Sequence, residues 1–83
     1  MTETAQANCR YRIANGLSGF RWAVDALEDS LKSFCDFHGL ELETFKSGFL
    51  FRHLSFVIRG VARTEEDGRR VLEQVESLVR KYE

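Results

Sequence analysis

The apolar residues of this chain follow two different periods, and the order in which those periods alternate constrains the fold more than any other feature. Leu54, Phe56 and Ile58 recur at every second position, which is the period of a strand with one buried face. Two other segments repeat apolar residues at every third or fourth position, which is the period of an amphipathic helix. From residue 9 onward, these periods predict the order strand, helix, strand, strand, helix.

The first strand is predicted over residues 9–13, where apolar and charged residues alternate. Asn15-Gly16 follows and has the composition of a turn. Ser18 then stands where a helix N-cap is expected. The first helix is predicted to end at Gly39, because glycine readily adopts the left-handed conformation of a C-cap. Its apolar stripe is predicted at Phe20, Val24, Leu27, Leu31, Phe34 and His38.

The second strand is predicted over residues 40–45, and residues 46–48 are predicted to form a hairpin loop whose last residue, Gly48, has a positive φ. The third strand is predicted from Phe49 to Ala62 and is the longest and most apolar of the three. Thr64 is the expected N-cap of the second helix. That helix has an acidic first turn and a basic last turn, as the helix dipole favours.

The simplest arrangement of these elements places the third strand between the other two and antiparallel to both. We therefore expect an α+β fold: a βαββα two-layer sandwich with a three-stranded antiparallel sheet of order 1-3-2 and both helices on one face. This architecture resembles a ferredoxin-like fold that lacks its last strand. Residues 1–7 are expected to be a flexible N-terminal tail and residues 8–83 a single domain.

Composition excludes several classes of function. A net charge of -1 gives no overall basic field for nucleic acid or a membrane surface. No apolar run approaches the roughly 20 residues of a membrane span, and the first residues lack the features of a signal peptide. Cys9 and Cys35 are expected to be buried thiols rather than a disulfide, which suits a reducing compartment. We therefore expect a cytoplasmic protein that does not bind membranes.

The sequence contains no glycine-rich phosphate loop, no nucleophile elbow and no paired-cysteine metal motif. Cys35 and His38 are three residues apart on the first helix, as two metal ligands or a nucleophile and its base can be. A core thiol and a histidine placed at a helix end by its charge are the favoured interpretations. We therefore predict no catalytic residue, no metal site, no cofactor, no small-molecule substrate and no enzymatic activity.

The local distribution of charge is more informative than the total. No acid occurs between Thr44 and Thr64, while Lys46, Arg52, Arg59 and Arg63 lie in that interval. Strand alternation puts several cations and rings on the sheet face away from the helices, and that mixture is used by single-stranded nucleic-acid binders. Residues 48–51 are similar to part of the ribonucleoprotein motif of RNA-recognition folds, although Leu50 and Arg52 depart from it. The candidate interaction face comprises Arg10, Arg12, Phe49, Phe51, His53 and Arg59.

A solvated face is favoured over a protein contact or a nucleic-acid contact, because Glu41 and Glu43 are expected to pair with its arginines. A β-bulge near residues 52–53 is an alternative that turns Phe49 and Phe51 inward and Arg52 outward. Trp22 and Phe37 flank the helical stripe. Partial burial is favoured for both over an exposed apolar patch.

The absence of a fourth strand leaves the first strand at the edge of the sheet, with unpaired main-chain groups. We expect two first strands to pair about a two-fold axis into a six-stranded sheet, or a partner's strand to dock there. The predicted function is a small non-catalytic cytoplasmic protein-interaction or regulatory module that forms a homodimer. The alternative is binding of single-stranded nucleic acid through the basic and aromatic face.

Overall fold

A computed structural model describes residues 9–83, and the flexible tail predicted over residues 1–7 lies outside the described residues. Five elements follow one another in this part of the chain. They are β1 (Cys9–Phe20), α1 (Arg21–His38), β2 (Glu41–Gly48), β3 (Phe51–Ala62) and α2 (Glu65–Lys81). The predicted order of strands and helices is confirmed.

The strands form a three-stranded sheet of order β1-β3-β2 in which β3 is antiparallel to both neighbours. Ile58 of β3 lies opposite Ile13 of β1 and Leu42 of β2. Because opposite residues share a face, these side chains point to one side of the sheet. Both helices pack on that side, so the predicted two-layer α+β sandwich is confirmed.

The core lies between the sheet and the helices. Val24, Leu27 and Leu31 of α1 are fully buried against Phe56 and Ile58 of β3. Burial of an aliphatic or aromatic side chain contributes about 1.5–3 kcal/mol, so this layer contact is the main source of stability. The buried core cluster is Ile13, Leu17, Val24, Leu27, Leu31, Cys35, Leu54, Phe56, Ile58, Val75 and Val79.

The turn predicted at Asn15-Gly16 is wrong, because β1 runs unbroken from Cys9 to Phe20 and pairs with β3 along its whole length. Gly16 fits this strand for a steric reason: a Cβ there would lie 2.6 Å from the carbonyl oxygen of Leu54. Its N–H donates a hydrogen bond to Asn15 Oδ1 at 2.7 Å. A dipeptide typical of turns therefore occupies the edge of a sheet.

The N-cap predicted at Ser18 is also wrong. The N-cap position of α1 is Phe20, which has an extended backbone and forms no side-chain capping bond. The N–H of Arg21 donates instead to the carbonyl oxygen of Leu50, at 2.9 Å. Ser18 remains in β1, where its hydroxyl is hydrogen-bonded to His53 Nδ1. A main-chain acceptor from the β2–β3 hairpin thus replaces the side-chain cap that a helix start often has.

The hairpin between β2 and β3 turns later than predicted. Residues 46–48 belong to β2, the connection is Phe49 and Leu50, and β3 begins at Phe51. The positive φ predicted for Gly48 is confirmed at 93°. A Cβ at this position would collide with the carbonyl oxygen of Phe51, so glycine is required both for its φ and for the close approach of the backbone.

The alternative of a β-bulge near residues 52–53 is wrong. The register continues through Arg52, which lies opposite Gly19 of β1 and Gly48 of β2. Arg52 therefore points to the helix side of the sheet, and Phe51 points to the other side. Phe51 is 55% exposed, so the ring is not turned into the core.

The predicted C-cap of α1 and N-cap of α2 are both confirmed. Gly39 has φ 68°, and its N–H is directed at the carbonyl oxygens of Cys35 and Asp36. The hydroxyl of Thr64 accepts a hydrogen bond from the N–H of Asp67 at 3.1 Å. Within residues 9–83, neither helix combines the length and the apolar character that crossing a membrane requires.

Candidate interaction face

The open face is defined here as the side of the sheet away from the helices, formed by the even-numbered residues of β1 and the odd-numbered residues of β2 and β3. It carries five of the six residues predicted as an interaction face, and all five are exposed. They are Arg10, Arg12, Phe51, His53 and Arg59. Phe49, the sixth, lies in the hairpin connection and is 70% exposed.

One end of the open face, called the basic end, consists of Arg10, Arg12 and Arg59. Arg12 lies directly opposite Arg59, where like charges repel. Arg59 donates a hydrogen bond to Glu43 at 2.9 Å, so the pairing predicted for Glu41 and Glu43 with the arginines of this face is confirmed for Glu43 only. The two side chains are 46% and 64% exposed, and the pair therefore contributes little stability.

The other end of the open face carries Phe20 and Phe51, and Trp22 at the start of α1 stacks on Phe20. These three rings are called the aromatic end. The rings of Phe20 and Trp22 stack with centroids 4.8 Å apart and an interplanar angle of 2°. Phe51 meets Phe20 edge-on at 6.1 Å, and His53 meets Phe51 at 6.0 Å. These offset and edge-on arrangements are the ones that aromatic rings prefer.

The partial burial predicted for Trp22 and Phe37 is wrong. Trp22 is 71% exposed and Phe37 is 85% exposed. The two rings stand near opposite ends of α1, so they belong to different surfaces. Trp22 extends the aromatic end of the sheet, whereas Phe37 lies beside His38 at the end of the helix.

Further apolar residues next to the aromatic end were not among the predicted site residues. Phe45 lies on the open face opposite Ser55 and is 78% exposed. Leu50 is exposed in the hairpin, and the guanidinium of Arg21 lies 5.6 Å from the ring centroid of Phe49. The signal for Phe45 was present in the sequence, because it shares its parity with Glu43 on the same strand.

Lys46 and Arg52, predicted as part of a basic run, do not belong to the open face. Both reach towards α1. Lys46 Nζ lies 2.7 Å from Glu28 Oε1 and 3.4 Å from Asp25 Oδ1. Arg52 donates to Asp25 Oδ1 at 2.8 Å. This group of four residues, called the helix-side charge cluster, neutralises half of the basic run.

The helix-side charge cluster shifts the pKa values of its members. The hydrogen bond from Lys46 is the main cause that lowers the pKa of Glu28. Desolvation acts to raise the pKa of Asp25, but the hydrogen bond from Lys46 and the charge of Arg52 outweigh it, and this pKa is also lowered. The hydrogen bond to Glu28 raises the pKa of Lys46. The cluster therefore stays charged at neutral pH and links α1 to the hairpin beside the aromatic end.

No protein-family model, no curated protein and no solved structure matches this chain.

The basic and aromatic ends of the open face lie at opposite ends of the same strands. Arg10 and Arg12 stand near the start of β1, and Phe20 stands at its end. Arg59 and Phe51 on β3 are eight residues apart, or about 26 Å along the strand.

Cys35 and His38 are separated by burial. Cys35 is 3% exposed in the core, and desolvation raises the pKa of its thiol. His38 is exposed at the end of α1, where its ring lies 4.4 Å from that of Phe34. Cys9 is exposed, contrary to the expectation of a buried thiol, and both cysteines are free. No group of three or more metal-ligating side chains occurs within residues 9–83.

Proposed function

We propose that this chain is a small, non-catalytic cytoplasmic module that acts through protein interaction, and that its partner is a second copy of itself. The β1 strands of two copies pair edge to edge about a two-fold axis and form one six-stranded sheet. Main-chain hydrogen bonds supply the affinity in this kind of contact, and the side chains beside them supply the specificity.

The outer edge of β1 is the observation that carries the proposal. Among residues 9–83, β1 has β3 on one side and no strand on the other. The bond from the Arg21 N–H to the Leu50 carbonyl continues the register of the β1–β3 pairs, so the odd-numbered residues direct their main-chain groups at β3. The even-numbered residues 10–20 therefore direct theirs outward. Gly16 agrees with this assignment, because its N–H donates to the side chain of Asn15.

The length of this edge favours pairing. β1 has 12 residues, or about 40 Å of strand, whereas exposed edges are commonly short or interrupted by proline. The chain has no proline. A domain of this size has a small core, and an added strand partner stabilises it further. Two free thiols suit the reducing compartment in which we place the module.

Sedimentation velocity over a series of concentrations from low to high micromolar tests the dimer. The test variant is Ala14→Pro, because the Ala14 N–H points outward and its loss leaves the β1–β3 ladder unchanged. Ala14→Val is the matched control, since it changes the same position but keeps the N–H. Circular dichroism and urea unfolding of both variants establish that they fold.

We expect a concentration-dependent dimer for the wild type and for Ala14→Val, and a monomer for Ala14→Pro. A wild-type monomer at high micromolar concentration contradicts the proposal. A monomer whose outward amides at residues 12, 14 and 18 are protected from hydrogen exchange also contradicts it, because another part of the same chain then covers the edge.

A second candidate function, binding of single-stranded nucleic acid, is favoured by the stacked rings of Phe20 and Trp22 and the arginines on one open face. Fluorescence anisotropy of a labelled single strand at low and moderate salt tests it. Salt-sensitive binding that Arg12→Met and Phe51→Ala both weaken supports this function. No binding at low salt excludes it.

A further inference from the structure

We infer that the two copies pair in the register that places Asn15 opposite the partner's Asn15, so that the basic end of each copy meets the aromatic end of the other. In this arrangement Arg10 lies beside the partner's Phe20. The inference rests on the proposed dimer and specifies its register and its side-chain contacts.

The positions of the outward main-chain groups select this register. In an antiparallel pair about a two-fold axis, a residue of one copy lies opposite a residue of the other, and the sum of their two numbers is the same constant for every pair. If both copies are to share one open face, even-numbered residues must lie opposite even-numbered residues, so this constant is even. The outward residues of β1 are the even-numbered residues 10–20. A constant of 30 pairs all six of them: residue 10 with 20, 12 with 18, and 14 with 16. In this pairing the Gly16 N–H donates to the partner's Ala14 carbonyl in place of its bond to Asn15 Oδ1. Any other even constant leaves outward residues of this stretch without a partner.

Electrostatic repulsion excludes the registers displaced towards the start of the strand. Constants of 20 to 24 put Arg10 or Arg12 directly opposite an arginine of the other copy, where like charges are destabilising. With a constant of 30, the two pairs of arginines lie at opposite ends of the shared ladder. The residues at its centre, Ala14 and Gly16, carry no charge, so this part of the ladder places no like charges opposite each other.

The aromatic end is preformed to receive a guanidinium. Phe20 is held against Trp22 by the 4.8 Å stack and against Phe51 by the edge-on contact. The three rings are 56%, 71% and 55% exposed. With about 200 Å² for each ring, they present about 350 Å² of aromatic surface, which is the size of the largest apolar patch on a typical monomer. Arginine is the side chain that binds best to such a surface, through its planar cation.

Disulfide trapping tests the register. In a two-fold strand pair, a cysteine at the central position lies opposite the same cysteine of the partner copy. Asn15 is the predicted central position, and its pair is the closely spaced, non-hydrogen-bonded kind. We compare Asn15→Cys with Arg12→Cys, Ala14→Cys and Ser18→Cys, each in a Cys9→Ser background under mild oxidation. We expect Asn15→Cys to give covalent dimer fastest. A maximum at another position overturns this register.

Sedimentation of two further variants tests the side-chain contact. Arg10→Met removes the cation at two symmetric sites, and we expect it to raise the dimer dissociation constant about 5- to 30-fold. Phe20→Ala should raise it at least as much. The controls are Arg63→Met and Phe37→Ala, which change exposed residues outside the proposed contact. Equal dissociation constants for Arg10→Met and Arg63→Met overturn the contact.

These measurements separate the two levels of the proposal. A wild-type monomer contradicts the proposed function and, with it, the register. A dimer that Ala14→Pro dissociates, but whose cysteine trapping is fastest away from residue 15, leaves the proposed function standing and overturns the register alone. The emission of Trp22, the one tryptophan of the chain, gives an independent readout. It should change on dilution in the wild type and not in Phe20→Ala at the same concentrations.

Discussion

Arg52 and Asp25 are joined by a hydrogen bond of 2.8 Å between a strand and a helix, at a position that shares its face with the core residue Leu54. The Arg52 side chain is 19% exposed. Its Nε is buried and has no hydrogen-bond partner among residues 9–83. A charge that is shielded in this way needs its partner, because removing one member of such a pair leaves the other poorly solvated. The contact therefore fixes α1 against the hairpin that carries the aromatic end.

Glu28 is the most buried acid of the helix-side charge cluster, and its charge should stabilise the fold. It accepts a hydrogen bond from Lys46 at 2.7 Å and a weaker one from Thr44 at 3.3 Å. We expect Glu28→Gln, which keeps the shape and removes the charge, to lower the free energy of unfolding at pH 7 by about 1 kcal/mol. Urea denaturation measures the change. Glu76→Gln on the exposed side of α2 is the control and should be neutral, so equal effects of the two variants would argue against this role.

The same cluster predicts the response of the protein to acid. The pKa values of Asp25 and Glu28 are lower in the folded chain than in the unfolded chain, where carboxyl groups titrate near pH 4. Their charged forms therefore stabilise the fold above about pH 4, and this contribution is lost as the pH falls through the folded pKa values. The difference in unfolding free energy between the wild type and Glu28→Gln should shrink in that window. A difference that is constant from pH 7 to pH 2 would contradict the assignment.

The fold could be predicted from the sequence wherever one period continues over a whole element. Leu54, Phe56 and Ile58 are buried as their alternation predicts, and Thr64 caps α2 as its local sequence predicts. The end of β1 could not be predicted in this way. Asn15-Gly16 is a local turn signal, and it was overridden by pairing with β3, which is a contact between residues far apart in the chain.

The candidate site was predicted in part. Alternation placed Arg10, Arg12, Phe51, His53 and Arg59 on one face, and the register confirms that they share it. The turn signal at Asn15-Gly16 predicts that β1 ends before Phe20, so the sequence pattern places Phe20 in the stripe of α1. The sequence favours a bulge as an alternative because a charge at Arg52 is costly on the core side. The charge is compensated by Asp25 on another element, and no local sequence pattern reveals that contact.

Gly16 should be intolerant of a side chain, because the obstacle is a main-chain atom. A Cβ at Gly16 would lie 2.6 Å from the Leu54 carbonyl oxygen, whereas a Cβ at Gly19 on the same strand meets nothing within 4 Å. We expect Gly16→Ala to lower the free energy of unfolding by about 1–3 kcal/mol. Gly19→Ala should be neutral or slightly stabilising, because it restricts the unfolded chain. Urea denaturation of the pair measures the contrast, and similar values for both would show that β1 relaxes at Gly16.

The two cysteines should react with thiol reagents at very different rates. Cys9 is exposed, whereas Cys35 is 3% exposed, and burial raises the pKa of its thiol. The thiolate is the reactive form, so Cys35 combines a small thiolate population with poor access. In the native protein at neutral pH, a chromogenic disulfide reagent should release one equivalent of its coloured thiolate rapidly, from reaction with Cys9. A second equivalent should appear only at the rate at which the core opens. In denaturant both thiols should react rapidly. Cys9→Ser should remove the fast phase and keep the slow one. A fast phase that persists in Cys9→Ser would show that Cys35 is accessible, and therefore that the core around α1 is looser than its packing indicates.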